Sequence, residues 1–345
     1  MSWPDAAATV FVVLVASFAG TRLALWALGR RAILDHPNER SSHVTPKPRG
    51  AGLAVTAVVV VAWGALGTGA PSFERAAILS VCAGALGLAA LSFVDDLKGL
   101  SVGWRLLGQF AAVAAVLAAT AERGAYFAGI LSPAADLFAA ALLWVWFINL
   151  FNFMDGIDGI AGVETASVGF GVTCAALLAG IGQTPALLGL TIAAAALGFL
   201  WWNWEPAKVF LGDVGSVPLG FLLGWLLLDL SARGLWAAAA ILPSYYFADA
   251  TITLGRRALK RAPVWQAHRE HYYQRAVRHG RTHAAVASAI LVANVLLIAL
   301  AGLGTIGWTI PALLGAAVVV GVLIFHLASG RRPDNGAPAP PPAAV

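Results

Sequence analysis

Long apolar runs alternate along this chain with short polar clusters. Runs near or above the roughly 20 residues that span a bilayer fall at 8–28, 50–70, 76–94, 102–120, 136–153, 161–181, 184–203, 217–231, 235–255, 283–303 and 308–328. Their lengths predict α-helical spans; a barrel would show weaker alternation over about ten residues at a time. The expected fold is an all-α polytopic transmembrane bundle of 10–11 spans. No Lys or Arg precedes the first run, and "DHPNER" rather than a small-residue cleavage site follows it, which predicts an uncleaved span and not a signal peptide.

Composition sharpens this pattern. Hydrophobic residues make up 59% of the 345, charged residues 11%, and mean hydropathy is +0.79, against about 25% charged residues in a soluble domain. Of the 22 Lys and Arg, 18 fall on one side of the predicted bundle, leaving Arg75, Arg123 and Arg233 opposite and Arg22 inside the first span. By the positive-inside rule the rich side is cytoplasmic. The net charge of +5 therefore reads as an orientation and anionic-lipid signal, and no basic stripe with interleaved aromatics suggests nucleic acid. Cys82 and Cys174 lie in apolar runs as small hydrophobes, implying no disulfide framework. Residues 1–330 read as one membrane domain and 331–345, "RRPDNGAPAPPPAAV", as a disordered Pro/Ala-rich tail.

With that orientation every polar cluster reaches the cytoplasmic side, expected to hold an active-site cleft. The clusters are "DHPNERSSHVTPKPRGAG" (35–52), "FVDDLKGLSVGWRLLGQ" (93–109), "NLFNFMDGIDG" (149–159), "NWEPAKVFLGDVGS" (203–216) and "DATITLGRRALKRAPVWQAHREHYYQR" (249–275). Asp95, Asp96, Asp155, Asp158 and Asp213 stand at the mouths of spans, where an unpaired charge is costly. Oxygen donors, nearby glycines and no cysteine point to Mg²⁺ held by one or two carboxylates and completed by substrate phosphates. Plainer readings exist for each cluster: helix-end charges for Asp95 and Asp96, a helix-linking turn for "DGIDG", a pair of helix caps for "GDVGS". Asn149, Asn152 and Asp155, at i, i+3 and i+6, would form one polar stripe on a helix, suited to a nucleotide base or to holding neighbouring carboxylates. Lys98 and Arg49 are candidate phosphate partners from their positions alone.

"VDDLKGLSVGWRLLGQ", "NLFNFMDGIDGIAG", "PAKVFLGDVGSVPLGF" and "AHREHYYQR" together resemble the polyprenyl-phosphate N-acetylhexosamine-1-phosphate transferases, glycosyltransferase family 4, which include the MraY, WecA, TagO and WbpL types. The motifs occur in the family's order and approximate spacing over nearly all of the chain. "SSHVTPKPRGAG" with "HREHYYQR" looks nearest the WbpL type; MraY carries consecutive His where this chain has His268, Arg269, Glu270 and His271. The resemblance implies transfer of a HexNAc 1-phosphate from a UDP-N-acetylhexosamine to undecaprenyl phosphate, with UMP released. It also implies Mg²⁺ (or Mn²⁺), a multi-pass protein of the bacterial inner membrane with a cytoplasmic site, and a start to a lipid-linked envelope glycan such as O-antigen in lipopolysaccharide biosynthesis. A homodimer is left open.

The resemblance also assigns residues. Asp213 would bind the metal, with Asn152 as a second ligand. Asp95 and Asp96 would lie at the nucleophile side, Asn149, Asn152, Asp155 and Asp158 would shape the nucleotide site, and Phe210 would stack on uracil. His268 and His271 join the catalytic set. With Arg275 they stand at i, i+3 and i+7, so a helix would show all three on one face toward the donor's diphosphate or sugar; an interfacial helix with Trp265, Tyr272 and Tyr273 at the headgroups is the plainer reading. A family proposal makes an Asp of the pair the base for the lipid phosphate. A phosphate monoester with its second pKa near 6 is already largely dianionic at pH 7, which favours metal organisation and nucleophile alignment. The alternative of another class is a transporter or flippase of an anionic lipid or ion. It would place ionisable residues near mid-membrane, and candidates are few: Arg22, Glu164 and Asp229 lie near predicted span ends, as snorkelling or capping residues would, and Asp249 is within pairing reach of Arg256.

Overall fold

The computed structural model describes residues 3–30, 34–35, 46–120, 124–262 and 268–329. The tail at 331–345, together with Arg31, Arg40, Arg123 and Trp265, lies outside the described residues. The helices are α1 (Trp3–Arg30), α2 (Gly52–Thr68), α3 (Ser72–Lys98), α4 (Val102–Ala119), α5 (Pro133–Met154), α6 (Ile160–Ala179), α7 (Gln183–Asn203), α8 (Asp213–Leu230), α9 (Trp236–Ile241), α10 (Ser244–Leu259), α11 (Tyr272–Arg278), α12 (His283–Thr305) and α13 (Thr309–Ala328). The only sheet among the described residues is a two-residue antiparallel pairing of β1 (Leu34–Asp35) with β2 (Lys47–Pro48).

The expected bundle is therefore present, with one correction to its spans. Nine helices among the described residues are long and apolar enough to cross a membrane, and Gly52–Thr68 is a shorter apolar one. One of the nine runs from Asp213 to Ile241 by length and composition, but Gly234 inside it has φ +89°, a left-handed conformation that ends a helix. The chain turns there. Ser231 Oγ donates to Tyr126 O at the end of the bundle away from the motifs, whereas Asp249 of α10 meets the histidine segment at the motif end. The predicted ninth span at 235–255 is thus two helices, α9 and α10, interrupted at Leu242 and Pro243, because proline offers no N–H to continue a helix.

Packing follows the sequence's small residues. Every residue of α8 except Asp213 is buried, as expected of a helix apolar on all sides, and it lies against α3 and α5. Close approach depends on glycine: a Cβ at Gly224 would stand 2.5 Å from Trp144 Cδ1, and one at Gly84 2.6 Å from Phe221 Cζ. Small residues let helix backbones approach where lipid offers no hydrophobic drive to association. Trp144 Nε1 donates to Phe221 O at 2.9 Å, satisfying a buried indole N–H. On the outside, Phe11 and Phe325 are 67% and 74% exposed, an apolar surface suited to hydrocarbon.

The end opposite the motifs is locked by polar contacts. Asp136 accepts from the N–H groups of Tyr126 and Phe127 at 2.8 and 2.9 Å. Arg233 pairs with Asp229 at 2.8 Å and with Glu74 at 3.2 Å. Glu164 lies near the start of α6, as expected, and is fully buried there, its carboxyl taking the Asn294 amide N–H at 2.8 Å.

Candidate active site

Two loops distant in sequence are joined at the motif end. Phe210 N donates to Pro48 O at 2.9 Å, Gly50 N and Ala51 N donate to Phe210 O at 3.1 Å, and Gly52 N donates to Leu211 O at 3.0 Å. This splice delivers Arg49 Nη2 to within 2.5 Å of Asp213 Oδ1. Asp213 is the first residue of α8, and Gly212 before it has φ +74°. A carboxylate in a helix's first turn is favoured by the macrodipole.

Asp155 caps the C-terminus of α5 and completes this group. Its carboxyl accepts no hydrogen bond among the described residues. Burial pushes its pKa up to about 7; the Arg49 guanidinium opposes the rise, and the like charges of Asp213 and Asp158 add to it. Asp155, Asp213 and Arg49 thus share one electrostatic neighbourhood, with two acids to one cation. Asn152 stands beside it, accepting from Ser216 Oγ at 2.9 Å.

Asp158 has a different environment. Its Oδ2 accepts Ala207 N–H at 2.9 Å and lies 3.5 Å from Lys47 Nζ, and its Oδ1 lies 3.3 Å from His283 Nδ1. Burial opposes its ionisation, but the His283 and Ala207 hydrogen bonds and the positive charge of Lys47 outweigh it, so the pKa is lowered. Lys47 Nζ also lies 5.2 Å from the Phe210 ring centroid, a cation–π contact. Asp158 therefore ties together the β2 strand, the 204–212 loop and the start of α12.

Of the stripe at 149–155, Asn149 and Asn152 lie on α5 and Asp155 just past its end, and its members part company. Asn149 Nδ2 donates to Gln109 Oε1 of α4 at 2.6 Å and to Val145 O at 2.8 Å, so Asn149 fastens two helices. The Asp pair also divides. Asp95 Oδ1 accepts Leu100 N–H at 2.7 Å and its Oδ2 pairs with Arg105 at 3.3 Å, closing the turn after α3. Asp96 and Lys98 are exposed at the same helix end.

The helix expected over 268–275 begins only at Tyr272, so His268, His271 and Arg275 do not line one helical face. His268 and His271 instead lie in the irregular segment before α11, their rings 4.9 Å apart. Asp249, expected to pair with Arg256, pairs with His271 Nδ1 at 3.2 Å, while the Arg256 guanidinium lies over the Tyr272 ring. Tyr273 OH donates to Phe153 O at 2.9 Å, and a Cβ on Gly156 would stand 2.2 Å from that hydroxyl. The histidine segment is thereby seated on the turn that carries Asp155. Burial, His271 and Arg257 depress the His268 pKa to about 4, leaving its ring neutral.

Sequence reasoning missed Asp249, His283, Gln109 and Ser216 as partners. Asp249 was visible as a carboxylate within an apolar run; its partner was not. Among the described residues no group of three or more His, Cys, Asp or Glu could by itself enclose a metal ion.

A multi-pass helical membrane protein carrying acids, a paired arginine and histidines at one end is the class these features define. Comparison with known proteins gives the family: the profile described as glycosyl transferase family 4 matches residues 78–231, which contain Asp95, the 149–159 turn and Asp213. A decaprenyl-phosphate N-acetylglucosaminephosphotransferase of Mycolicibacterium smegmatis is 28% identical over 351 residues, covering 90% of this chain and 85% of the relative. A Bacillus subtilis protein named "Probable undecaprenyl-phosphate N-acetylglucosaminyl 1-phosphate transferase" is 27% identical over 258 residues, 72% of this chain and 71% of the relative. A phospho-N-acetylmuramoyl-pentapeptide-transferase of Hydrogenobaculum is 29% identical over 52% of this chain and 60% of its own. The chain belongs to glycosyl transferase family 4.

Proposed function

We propose that this protein transfers an N-acetylhexosamine 1-phosphate from a UDP-N-acetylhexosamine to a polyprenyl phosphate, such as undecaprenyl phosphate, and releases UMP. The observation that carries the reading is the meeting of Asp155, Asp213 and Arg49 at one end of an apolar bundle, where a membrane-borne phosphate and a water-borne sugar nucleotide can both arrive. Relatives covering most of the chain are named for this chemistry with N-acetylglucosamine, which supports a HexNAc donor. The excess of basic residues at the same end favours a cytoplasmic site in a bacterial inner membrane, and the product would start a lipid-linked envelope glycan.

In the reaction an oxygen of the polyprenyl phosphate attacks the phosphorus bearing the sugar. The bond from that phosphorus to the bridging oxygen breaks, and the electron pair leaves with UMP. The attacking phosphate is largely dianionic near pH 7, so no strong base is needed. Asp95 fits a positioning role, since both its oxygens are occupied by Leu100 N–H and Arg105; Asp96, exposed beside it, remains the nucleophile-side candidate.

The donor set fits Mg²⁺, which keeps few protein ligands and is completed by phosphates. Asp213, Asp155 and the Asn152 amide oxygen are all hard oxygen donors, and the pressure against ionising Asp155 is what a bound cation would relieve. When bound, the ion would neutralise charge on the diphosphate. Arg49, already on Asp213, is placed to share that task. Lys47, Phe210 and Asp158 form the polar and aromatic wall expected to receive the base. Catalysis by positioning and charge neutralisation is the usual economy of phosphoryl transfer.

The test is a radiolabel assay of membranes containing the protein with a panel of UDP-sugars and undecaprenyl phosphate. Labelled lipid with UMP release in step is the expected result. Absence of labelled lipid with every UDP-N-acetylhexosamine would refute the reading and return the transporter class.

A further inference from the structure

Asp249 is completely buried in α10, and no Lys or Arg among the described residues is bonded to it. Five other donors surround it. Its Oδ1 receives Thr253 Oγ1 at 3.2 Å, Tyr272 N at 3.0 Å and His271 Nδ1 at 3.2 Å; its Oδ2 receives Tyr245 OH at 3.1 Å and Tyr273 N at 3.3 Å. Two of these are the first N–H groups of α11, which no helical carbonyl can satisfy. The carboxylate thus caps one helix from the middle of another.

The same contact sets the tautomer of His271. A carboxylate surrounded by N–H and O–H donors can only accept, so His271 Nδ1 carries a hydrogen, and in the neutral imidazole Nε2 keeps its lone pair. That Nε2 is buried and has no hydrogen-bond partner, and neither has Nδ1 of His268 in the adjoining ring. His271 is 1% exposed. A buried acceptor held this firmly without a partner is costly unless something else meets it. The segment's seat on the Asp155 turn, through Tyr273 OH and Phe153 O, places it beside the candidate transfer site.

We propose, resting on the transferase reading above, that Asp249 is a positioning residue: it holds His271 so that Nε2 accepts a hydrogen bond from a hydroxyl or acetamido N–H of the donor sugar. Asp249 touches no substrate and acts through His271. Nothing in the spacing of "HREHYYQR" implies it, because the two residues are 22 apart and belong to different elements.

A double-mutant cycle with purified full-length protein tests this. Asp249→Asn keeps shape but puts an amide N–H where only acceptors fit; His271→Asn keeps a donor at the Nδ1 position and removes Nε2. Each should lower kcat/KM for UDP-N-acetylglucosamine about 10- to 100-fold, the usual range for removing a residue that orients another, with the lipid acceptor KM within about twofold of wild type. In the His271→Asn background, Asp249→Asn should cost no more than about a further twofold. Losses that multiply, or a donor kcat/KM for Asp249→Asn within about twofold of wild type, would overturn the inference. If Asp249→Asn does not accumulate as folded protein, the same cycle with Asp249→Glu, which retains the charge, decides by the same criterion. Wild-type protein that transfers no sugar phosphate would overturn both readings; transfer by wild type with multiplying losses would overturn this one alone.

Discussion

Gly52 and Gly215 touch where the Arg49 loop meets α8, and a single methyl group there should uncouple the site without altering any charged residue. A Cβ on Gly52 would stand 2.2 Å from Gly215 Cα, 2.7 Å from Gly215 N and 2.8 Å from Leu211 O. These are backbone atoms, so no side chain can rotate away. Comfortable carbon–carbon contact begins at about 3.5 Å, so α2 and α8 must separate by roughly 1 Å or more. Arg49 lies three residues before Gly52 and Asp213 two before Gly215, and their 2.5 Å contact must absorb the movement. Overpacking of this kind costs about 1–3 kcal/mol, whereas a shift of about 1 Å in a positioned group can cost about 10²-fold in rate. Gly52→Ala should therefore fold, melt somewhat lower, and turn over about 100-fold more slowly. Gly64→Ala on the same helix, where a Cβ meets nothing within 4 Å, is the control and should leave the rate unchanged. The assay is initial-rate formation of lipid-linked sugar phosphate by monodisperse protein in detergent, with tryptophan fluorescence for melting. A folded Gly52→Ala protein with near-wild-type kcat would refute the claim that this backbone contact sets the Arg49–Asp213 geometry.

Asp213→Asn should abolish divalent-dependent transfer, by at least about 10²-fold, and shrink the rise in Tm that Mg²⁺ produces in wild type; normal turnover at ordinary Mg²⁺ would remove Asp213 from the site. Asp155 titrates upward on folding, to about 7, so the native state holds its proton after the unfolded chain has lost it, and stability falls between about pH 4 and pH 7. Asp155→Asn should thus raise Tm of metal-free protein at pH 8 and leave it unchanged at pH 4; an unchanged Tm at both values would show that Asp155 is not under this pressure. Asp158 titrates downward, so its stabilisation is present above about pH 4 and is lost as acid protonates it below that. Asp158→Asn should lower Tm at pH 7 and flatten the acid limb of the Tm–pH curve, whereas a parallel curve would count against its role in tying the loops. For topology, cysteines replacing Leu259 and Ile130, 88% and 84% exposed, should react with an impermeant maleimide from opposite sides of the membrane, Leu259→Cys from the cytoplasm; the reverse labelling would exclude a cytoplasmic site.

What hydropathy and spacing could show is local. Apolar length located the spans because burial of twenty or so residues needs no knowledge of partners, and polar clusters located the end where the motifs gather because charge is expelled from hydrocarbon. Pro243 was plain in the sequence, yet an apolar average over 235–255 passes across it, so α9 and α10 read as one helix. Helical period carries the stripe Asn149–Asn152–Asp155 only as far as Asn152, the helix ending at Met154, and period cannot say that Asn149 is taken by Gln109, 40 residues earlier. Likewise "HREHYYQR" has helical spacing throughout, and the helix nevertheless starts at Tyr272, because Asp249 from α10 caps it there and holds His271 outside it. Arg49 and Asp213 are 164 residues apart; they meet through a backbone splice at Phe210 whose hydrogen bonds carry no side-chain signature. The residues that escaped sequence reading are those whose role is defined by a partner's position. In a bundle whose interior offers few polar groups, such a partner is seldom replaceable by water, and so Asp249, Gln109 and His283 should prove as sensitive to substitution as His271, Asn149 and Asp158, the residues they support.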